Sequence, residues 1–495
     1  MLPEDTKQRI RDAYFKLIEE KSLSPRWGQR QMVAEVANAL GRIDAPEEGA
    51  AVCIIEAGTG TGKTIAYAVA AIPAALALGK KLVVATATVA LQEQFVNKDL
   101  PDIRKHSGLQ FDYVLAKGRR RYVCLSRLDK LLASSQEESA VLPLYPDEVR
   151  QPLSVDALPV YTSMVDSMAR GEWDGDRDNW PHELDEGIWF SATTDHNQCS
   201  GRKCPNISQC SFFRARDALQ NADVIVANHD LVLSDLALGG GAILSAPEDS
   251  VYVFDEGHHL PDKALNHFSA FCRLGSSQQW LDDSRKQLSQ AASQLHEVDG
   301  LVDTINKLMP QFDDIGVGLK QVEQVLDELI DPAELSDRGD RQHFRLPHGL
   351  VPEELRQPSL TLSELFGRLH NKLGQLEDCM EDALEGDFAG VDKTDADAWH
   401  AVFGAMVSRA EGNLALWQQY ALTGEGEDPP VARWINLAGP NGQSGYDLRA
   451  CPILASEILL EFLWNRAAAV IATSATMTAL NSFDRFILRS GAPTD

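Results

Sequence analysis

The sequence predicts an α/β chain built on a parallel sheet that carries a phosphate-binding turn, interrupted by a cysteine-bearing segment and by a long helical one. Three observations predict it. The apolar run 51–55 leads through "EAGTGTGKT", residues 56–64, into a helix-like stretch at 65–72, which is the strand, glycine-rich turn and helix of a nucleotide-binding unit. A second apolar strand, 251–254, ends in Asp255-Glu256-Gly257-His258, and ligands of open parallel sheets sit at the carboxyl ends of strands. From 276 to about 420, leucines and valines recur at helical spacing.

At 495 residues, 44% hydrophobic and 24% charged, the chain is long enough for two to four compact units. The N-terminal stretch is charged and amphipathic, and no run reaches the length of a membrane span. A soluble, cytoplasmic protein without a membrane partner is expected. A net charge of -27 argues against indiscriminate coating of nucleic acid, because phosphate binding rests on Lys and Arg. The charge is uneven. Residues 376–397 hold nine acids (Glu377, Asp378, Glu381, Asp382, Glu385, Asp387, Asp392, Asp395, Asp397) against Lys393, whereas 117–130 hold six bases (Lys117, Arg119, Arg120, Arg121, Arg127, Lys130) against Asp129. One basic segment in an acidic chain suggests a confined track for an anionic substrate; a solvated surface loop would read the same way.

In a strand–turn–helix unit the first backbone N–H groups of the helix point at whatever lies over its N-terminus, and a phosphate fits there. The expected nucleotide-binding residues are Ala57, Gly58, Thr59, Gly60, Thr61, Gly62, Lys63 and Thr64. The glycines permit positive φ and close approach, Lys63 reaches the β and γ phosphates, and the Thr64 hydroxyl ligates Mg²⁺. Ala57 stands where the strict pattern has glycine. Asp255 is expected to hold Mg²⁺ through its water shell and Glu256 to orient or deprotonate the attacking water. Alone, such a pair after a strand would read as a helix N-cap; beside a phosphate loop it reads, with Lys63, as catalytic.

Four of the eight cysteines, Cys53, Cys272, Cys379 and Cys451, stand alone in apolar or helical contexts and read as small buried hydrophobes. The others, Cys124 and the group Cys199, Cys204 and Cys210, form one distant and three near thiols. Four thiolates suit either a tetrahedral zinc or an iron–sulfur cluster, and spacing does not choose between them.

The order of several motifs then resembles the superfamily-two helicases of the DEAH type: "PRWGQRQM" (Arg26, Gln29, Met32), "EAGTGTGKT", "VVATATVALQEQ" (Thr86, Thr88, Gln92), "DEGH" and the late "IATSATM". The resemblance implies that Gln29 reads adenine, that Thr88 contacts the nucleic-acid backbone, and that His258, Ser474 and Thr476 couple hydrolysis to strand movement. "AKGRRRYVC", 116–124, followed by the cysteine trio, resembles the iron–sulfur helicases related to xeroderma pigmentosum group D protein. That likeness implies a [4Fe–4S] cluster on Cys124, Cys199, Cys204 and Cys210. Beside it, Lys117, Arg119, Arg120 and Arg121 would hold phosphates and Tyr122 would stack on a base; otherwise the arginines only neutralise the cluster and nearby acids.

The implied architecture is a RecA-like motor domain in three parts (1–115, 215–275 and 431–495) with an iron–sulfur domain at 116–214 and a helical arch at 276–430. The implied activity is ATP-dependent, 5′-to-3′ unwinding of DNA in repair or replication, with ATP and Mg²⁺ as cofactors. Implied partners are single-stranded, forked or tailed DNA, with single-stranded-DNA-binding protein a further candidate. Heptad leucines in the arch (Leu281, Leu288, Leu295; Leu362, Leu369, Leu376) read as packing within a domain, hence a monomer. Family members continue into a second RecA-like domain, and nothing after Met477 resembles it, so unwinding is not expected of these residues alone. The alternative is a metal-bearing nucleic-acid-binding module with an NTP pocket and no unwinding activity; DNA-stimulated ATP turnover separates the two.

Overall fold

A computed structural model describes residues 1–43, 51–133, 157–196, 198–296, 298, 300–330, 336–338, 341–386, 391–423, 426, 430–437 and 445–494. Asp387 of the acidic run lies outside the described residues. Two compact units emerge: Met1–Lys117 with Ala215–Phe268 and Pro452–Asp495, and Gly118–Arg214 with Ser269–Cys451. The strands are β1 (Val52–Glu56), β2 (Lys81–Thr86), β3 (Tyr113–Leu115), β4 (Val224–Asn228), β5 (Ser250–Asp255), β6 (Ala270–Arg273), β7 (Ser336–Arg338), β8 (Arg341–Arg345), β9 (Val431–Leu437), β10 (Tyr446–Pro452) and β11 (Ala469–Ser474).

In the first unit six strands form one sheet in the order β1-β11-β5-β2-β4-β3, and every pairing is parallel. The central strands β2, β4, β5 and β11 are apolar through their middles because both faces are covered. Leu82, Val84, Val226 and Val253 face one core with the helix Lys63–Ala77 and the N-terminal helices. The alternate residues Val83, Ala85, Ile225 and Phe254 face a second core on the other side. The register sets Glu56 opposite Ser474 and Thr473 opposite Asp255. The carboxyl ends of β1, β5 and β11 therefore deliver three polar side chains to one edge of the sheet.

The second unit packs the helices Leu274–Gln294, Leu301–Leu329, Glu353–Glu385 and Lys393–Ala421 around a large apolar core. Leu281, Leu288, Leu295, Leu362, Leu369 and Leu376 all lie in that core, so the heptad leucines are satisfied within the unit. The same unit contains a sheet that helical periodicity does not reveal, in the order β6-β10-β9-β8-β7, with antiparallel pairs β6–β10, β8–β9 and β7–β8. Its strands β7 and β8 carry polar residues such as Arg341, Gln342 and His343, so their period-2 signal is weak. The division consequently falls at 268/269 and 451/452 rather than at 275/276 and 430/431, and the cysteine segment groups with the helical one.

Within the acidic run, Glu377 is pushed up to about 7, first by burial and then by Asp378 and Glu381. The fold thus favours its neutral form, and that contribution, full below the ordinary carboxylate range, is lost as pH rises through 7. Glu377→Gln should raise the thermal unfolding midpoint relative to wild type at pH 8 and change it much less at pH 5. Equal shifts at both pH values would contradict the sign.

Candidate functional site

The phosphate loop turns on Gly60 and Gly62, with φ of +75° and +81°. Gly62 sits immediately before the helix Lys63–Ala77, whose first N–H groups lack intrahelical partners. The Thr61 hydroxyl closes the turn by donating to the Gly58 carbonyl at 2.8 Å, and Thr59 is exposed at the tip. Gln29 donates to the Gly62 carbonyl at 3.2 Å and is itself held by the Tyr14 hydroxyl at 3.0 Å, while Arg26 bonds the Gly60 carbonyl. The Ala57 N–H donates to the Ser474 carbonyl at 2.9 Å, which ties the start of the loop to β11. A methyl group on Gly62 would stand 2.3 Å from Gln29 Nε2, on a backbone that costs an L-residue about 1–2 kcal/mol. Gly62→Ala is expected to weaken nucleotide binding by about tenfold or more, measured by titration; an unchanged affinity would show that the loop does not need this conformation.

Lys63, at the first turn of the helix, reaches across to Glu256, Nζ to Oε1 3.3 Å. Glu256 adopts φ +53° just beyond β5, which turns its side chain back over the sheet end. Its other oxygen accepts from the Ser474 hydroxyl at 3.0 Å, and His258 Nδ1 lies 2.6 Å from that hydroxyl. Burial raises the Glu256 pKa, but the Ser474 hydroxyl and the Lys63 ammonium outweigh it, and the group titrates below its usual range. Asp255 is shifted the other way, first by burial and then by the charge of Glu256. The buried Tyr67 hydroxyl reaches Asp255 Oδ2 at 3.5 Å, so a phenol supports one of the expected Mg²⁺ ligands. The Thr476 N–H donates to Ser474 Oγ at 3.2 Å. The structure thus brings together Gln29, Lys63, Thr64, Asp255, Glu256, His258, Ser474 and Thr476, with Tyr14 and Tyr67 as supports that sequence reading missed. No motif marks either tyrosine; each contributes through a fold contact.

Thr88 caps the helix Val89–Gln94, accepting from the Leu91 N–H at 3.4 Å. In the second unit, Arg119 donates to Cys199 Sγ at 2.7 Å and lies 4.0 Å over the Phe212 ring. Arg120 pairs with Asp195 at 3.1 Å, and Arg121 pairs with Asp178. Tyr122 is buried edge-on against Phe212, their ring centroids 5.9 Å apart. Each of these three arginines therefore has a thiol or carboxylate partner.

Cys124, Cys199, Cys204 and Cys210 all line one small cavity together with Arg119 and Phe212. Ser126 Oγ lies 3.3 Å from Cys204 Sγ. Burial pushes the Cys124 thiol up to about 12 and raises Cys199 as well. Thiolates in such a place need compensating positive charge. Among the described residues, no three His, Cys, Asp or Glu side chains converge as ligands of a single metal ion. The four thiols around one shared cavity are the residues that would hold a metal group here.

A phosphate loop, a carboxylate pair beyond a neighbouring strand and a hydroxyl motif on the strand between them define a phosphate-loop nucleotide hydrolase with a helicase-like motif order. The family model described as DEAD_2 matches residues 188–273. The ATP-dependent DNA helicase DinG of Photobacterium profundum is 32% identical over 99% of this chain and 68% of that protein. DinG of Escherichia coli (strain K12) is 30% identical over 97% and 65%, respectively. A solved structure of an XPD helicase superposes with a TM-score of 0.43 at 12% identity, covering 95% of this chain and 61% of that one. The chain belongs to the DinG family of ATP-dependent DNA helicases and spans roughly two thirds of the length of these relatives. No helix among the described residues is long and apolar enough to cross a membrane.

Proposed function

We propose that the protein hydrolyses Mg·ATP at the Lys63–Asp255–Glu256 site and uses the energy to move 5′ to 3′ along single-stranded DNA and separate duplexes, in repair or replication. The observation that carries this reading is the joining of Lys63, Glu256, Ser474 and His258 in one hydrogen-bonded chain. Lys63 and the loop N–H groups neutralise the phosphates, Thr64 and Asp255 hold the metal, and Glu256, kept ionised by its neighbours, orients water. In this reading Ser474 and His258 sense whether Glu256 is engaged, a role supported by the contacts of Ser474 Oγ with both Glu256 and His258.

Cys124, Cys199, Cys204 and Cys210 are proposed to hold a [4Fe–4S] cluster, with Arg119 as a counterion to its thiolates. Bound there, the cluster would supply a rigid crosslink between residues far apart in sequence. Gly118–Arg214 is then the iron–sulfur domain and the helices from Leu274 to Ala421 the arch, which together contact the DNA strand. Arg119, Arg120 and Arg121 act first as counterions in this scheme, and with Lys117 and Thr88 are the candidates for phosphate contact; Tyr122 would stack on a base only if its packing against Phe212 opened. Tailed or forked DNA is the proposed substrate and single-stranded-DNA-binding protein a proposed partner of a monomeric, cytoplasmic enzyme. The test is ATP turnover by full-length protein with and without single-stranded DNA. Stimulation of at least about tenfold is expected; turnover indifferent to DNA would favour the binding module without motor activity.

A further inference from the structure

Glu56 ends β1 and directly precedes the phosphate loop, yet its carboxylate is taken up by the backbone that follows β11. It accepts the Met477 N–H at 2.7 Å, the Thr478 N–H at 2.6 Å and the Thr478 hydroxyl at 2.9 Å. These donors begin one residue beyond Thr476. The segment they belong to is therefore held at three places: Ser474 O by the Ala57 N–H, Ser474 Oγ by Glu256 and His258, and Met477–Thr478 by Glu56. The Thr478 amide, ahead of its hydroxyl, draws the Glu56 carboxyl below its ordinary range, so the clamp is charged at neutral pH.

Just past the clamp the chain makes a tight reversal. Ala479 and Ser482 exchange both backbone hydrogen bonds, at 2.9 and 3.1 Å. Leu480 and Asn481 between them take φ of +51° and +61°, a conformation unfavourable for leucine. The Leu480 side chain is wholly exposed. A strained turn persists only where its surroundings over-determine it, and the Glu56 carboxylate is the anchor on its incoming side.

We infer that Glu56 is a positioning residue that ties the turn 479–482 to the phosphate loop, so that a change at the loop when nucleotide binds is passed directly to the turn, in parallel with the route through Glu256 and Ser474. Loop and clamp are consecutive along the backbone, with Glu56 followed directly by Ala57. The consequence is a second mechanical output from the nucleotide site, at a turn whose apolar tip is exposed. This rests on the nucleotide-site reading above.

Amide hydrogen exchange on full-length protein, with and without the non-hydrolysable nucleotide Mg·ATPγS, tests it. In wild type, nucleotide should change exchange both in the loop peptide 57–64 and in the peptide 477–484. In Glu56→Ala the loop response should remain and the 477–484 response should be strongly diminished, the remainder passing through Ser474; Glu56→Gln, which keeps an acceptor oxygen, should restore part of it. Single-stranded-DNA-stimulated turnover should fall about tenfold while KM for ATP stays within about threefold. If Glu56→Ala does not fold, Thr478→Val, which deletes only the hydroxyl contact, should diminish the same response. A 477–484 response of wild-type size in either variant, or none in wild type, overturns the inference. Absence of any response at 57–64 in wild type would instead count against the nucleotide site itself.

Discussion

Full-length protein carrying Lys63→Ala should still bind nucleotide but turn over ATP about 10³-fold more slowly than wild type, a loss of about 4 kcal/mol of transition-state stabilisation. The size follows from two roles at one atom. Lys63 Nζ is placed at the N-terminus of the helix Lys63–Ala77, where a phosphate would sit, and it is also the cation 3.3 Å from Glu256. Removing it takes away the charge that meets the transferring phosphate. It also removes one of the influences that keep Glu256 ionised, so the residue that orients water is compromised as well. Lys63→Arg should not rescue, because a planar guanidinium does not fit where a compact ammonium approaches phosphate oxygens. Turnover by Lys63→Ala within about threefold of wild type would remove the residue from the catalytic set.

If the four cysteines hold the proposed cluster, Cys199→Ser should abolish the broad visible absorption and the iron content expected of anaerobically purified protein and abolish DNA unwinding, while leaving some DNA-independent ATP hydrolysis. Cys199 lies in the same cavity wall as Cys124, Cys204 and Cys210 and receives the Arg119 guanidinium at 2.7 Å. A serine would leave one corner of the ligand set hard and poorly donating and Arg119 without its sulfur partner. The nucleotide site lies in the other compact unit, which is why basal hydrolysis should survive. Stoichiometric zinc with neither iron nor sulfide in the wild-type protein would contradict the cluster.

What the sequence made legible is local. The loop 56–64 and the Asp255-Glu256 turn announce themselves because glycine, lysine and paired carboxylates at strand ends are rare combinations, and the alternation of Val83 and Val84 onto two cores is the ordinary geometry of a doubly covered parallel strand. The supports of the site were not legible. Tyr14 on Gln29 and Tyr67 on Asp255 span 15 and 188 residues, and nothing in either segment marks a tyrosine as more than core. The basic run shows the same limit: which carboxylates stand beside Arg120 and Arg121, Asp195 and Asp178, is set by the fold and not by the run itself. The five-stranded sheet escaped because it is assembled from strands as distant as β6 and β10, separated by the long helices whose period dominates the segment.

Strand separation on a duplex with a 5′ single-stranded tail tests the central claim most directly, using full-length wild-type protein, Glu256→Gln and a 3′-tailed control. Wild type should separate the 5′-tailed duplex in an ATP-dependent way and leave the 3′-tailed control intact, and Glu256→Gln should separate neither while still binding both DNA and nucleotide. Separation by Glu256→Gln at wild-type rates, or by wild type without ATP, would contradict that claim.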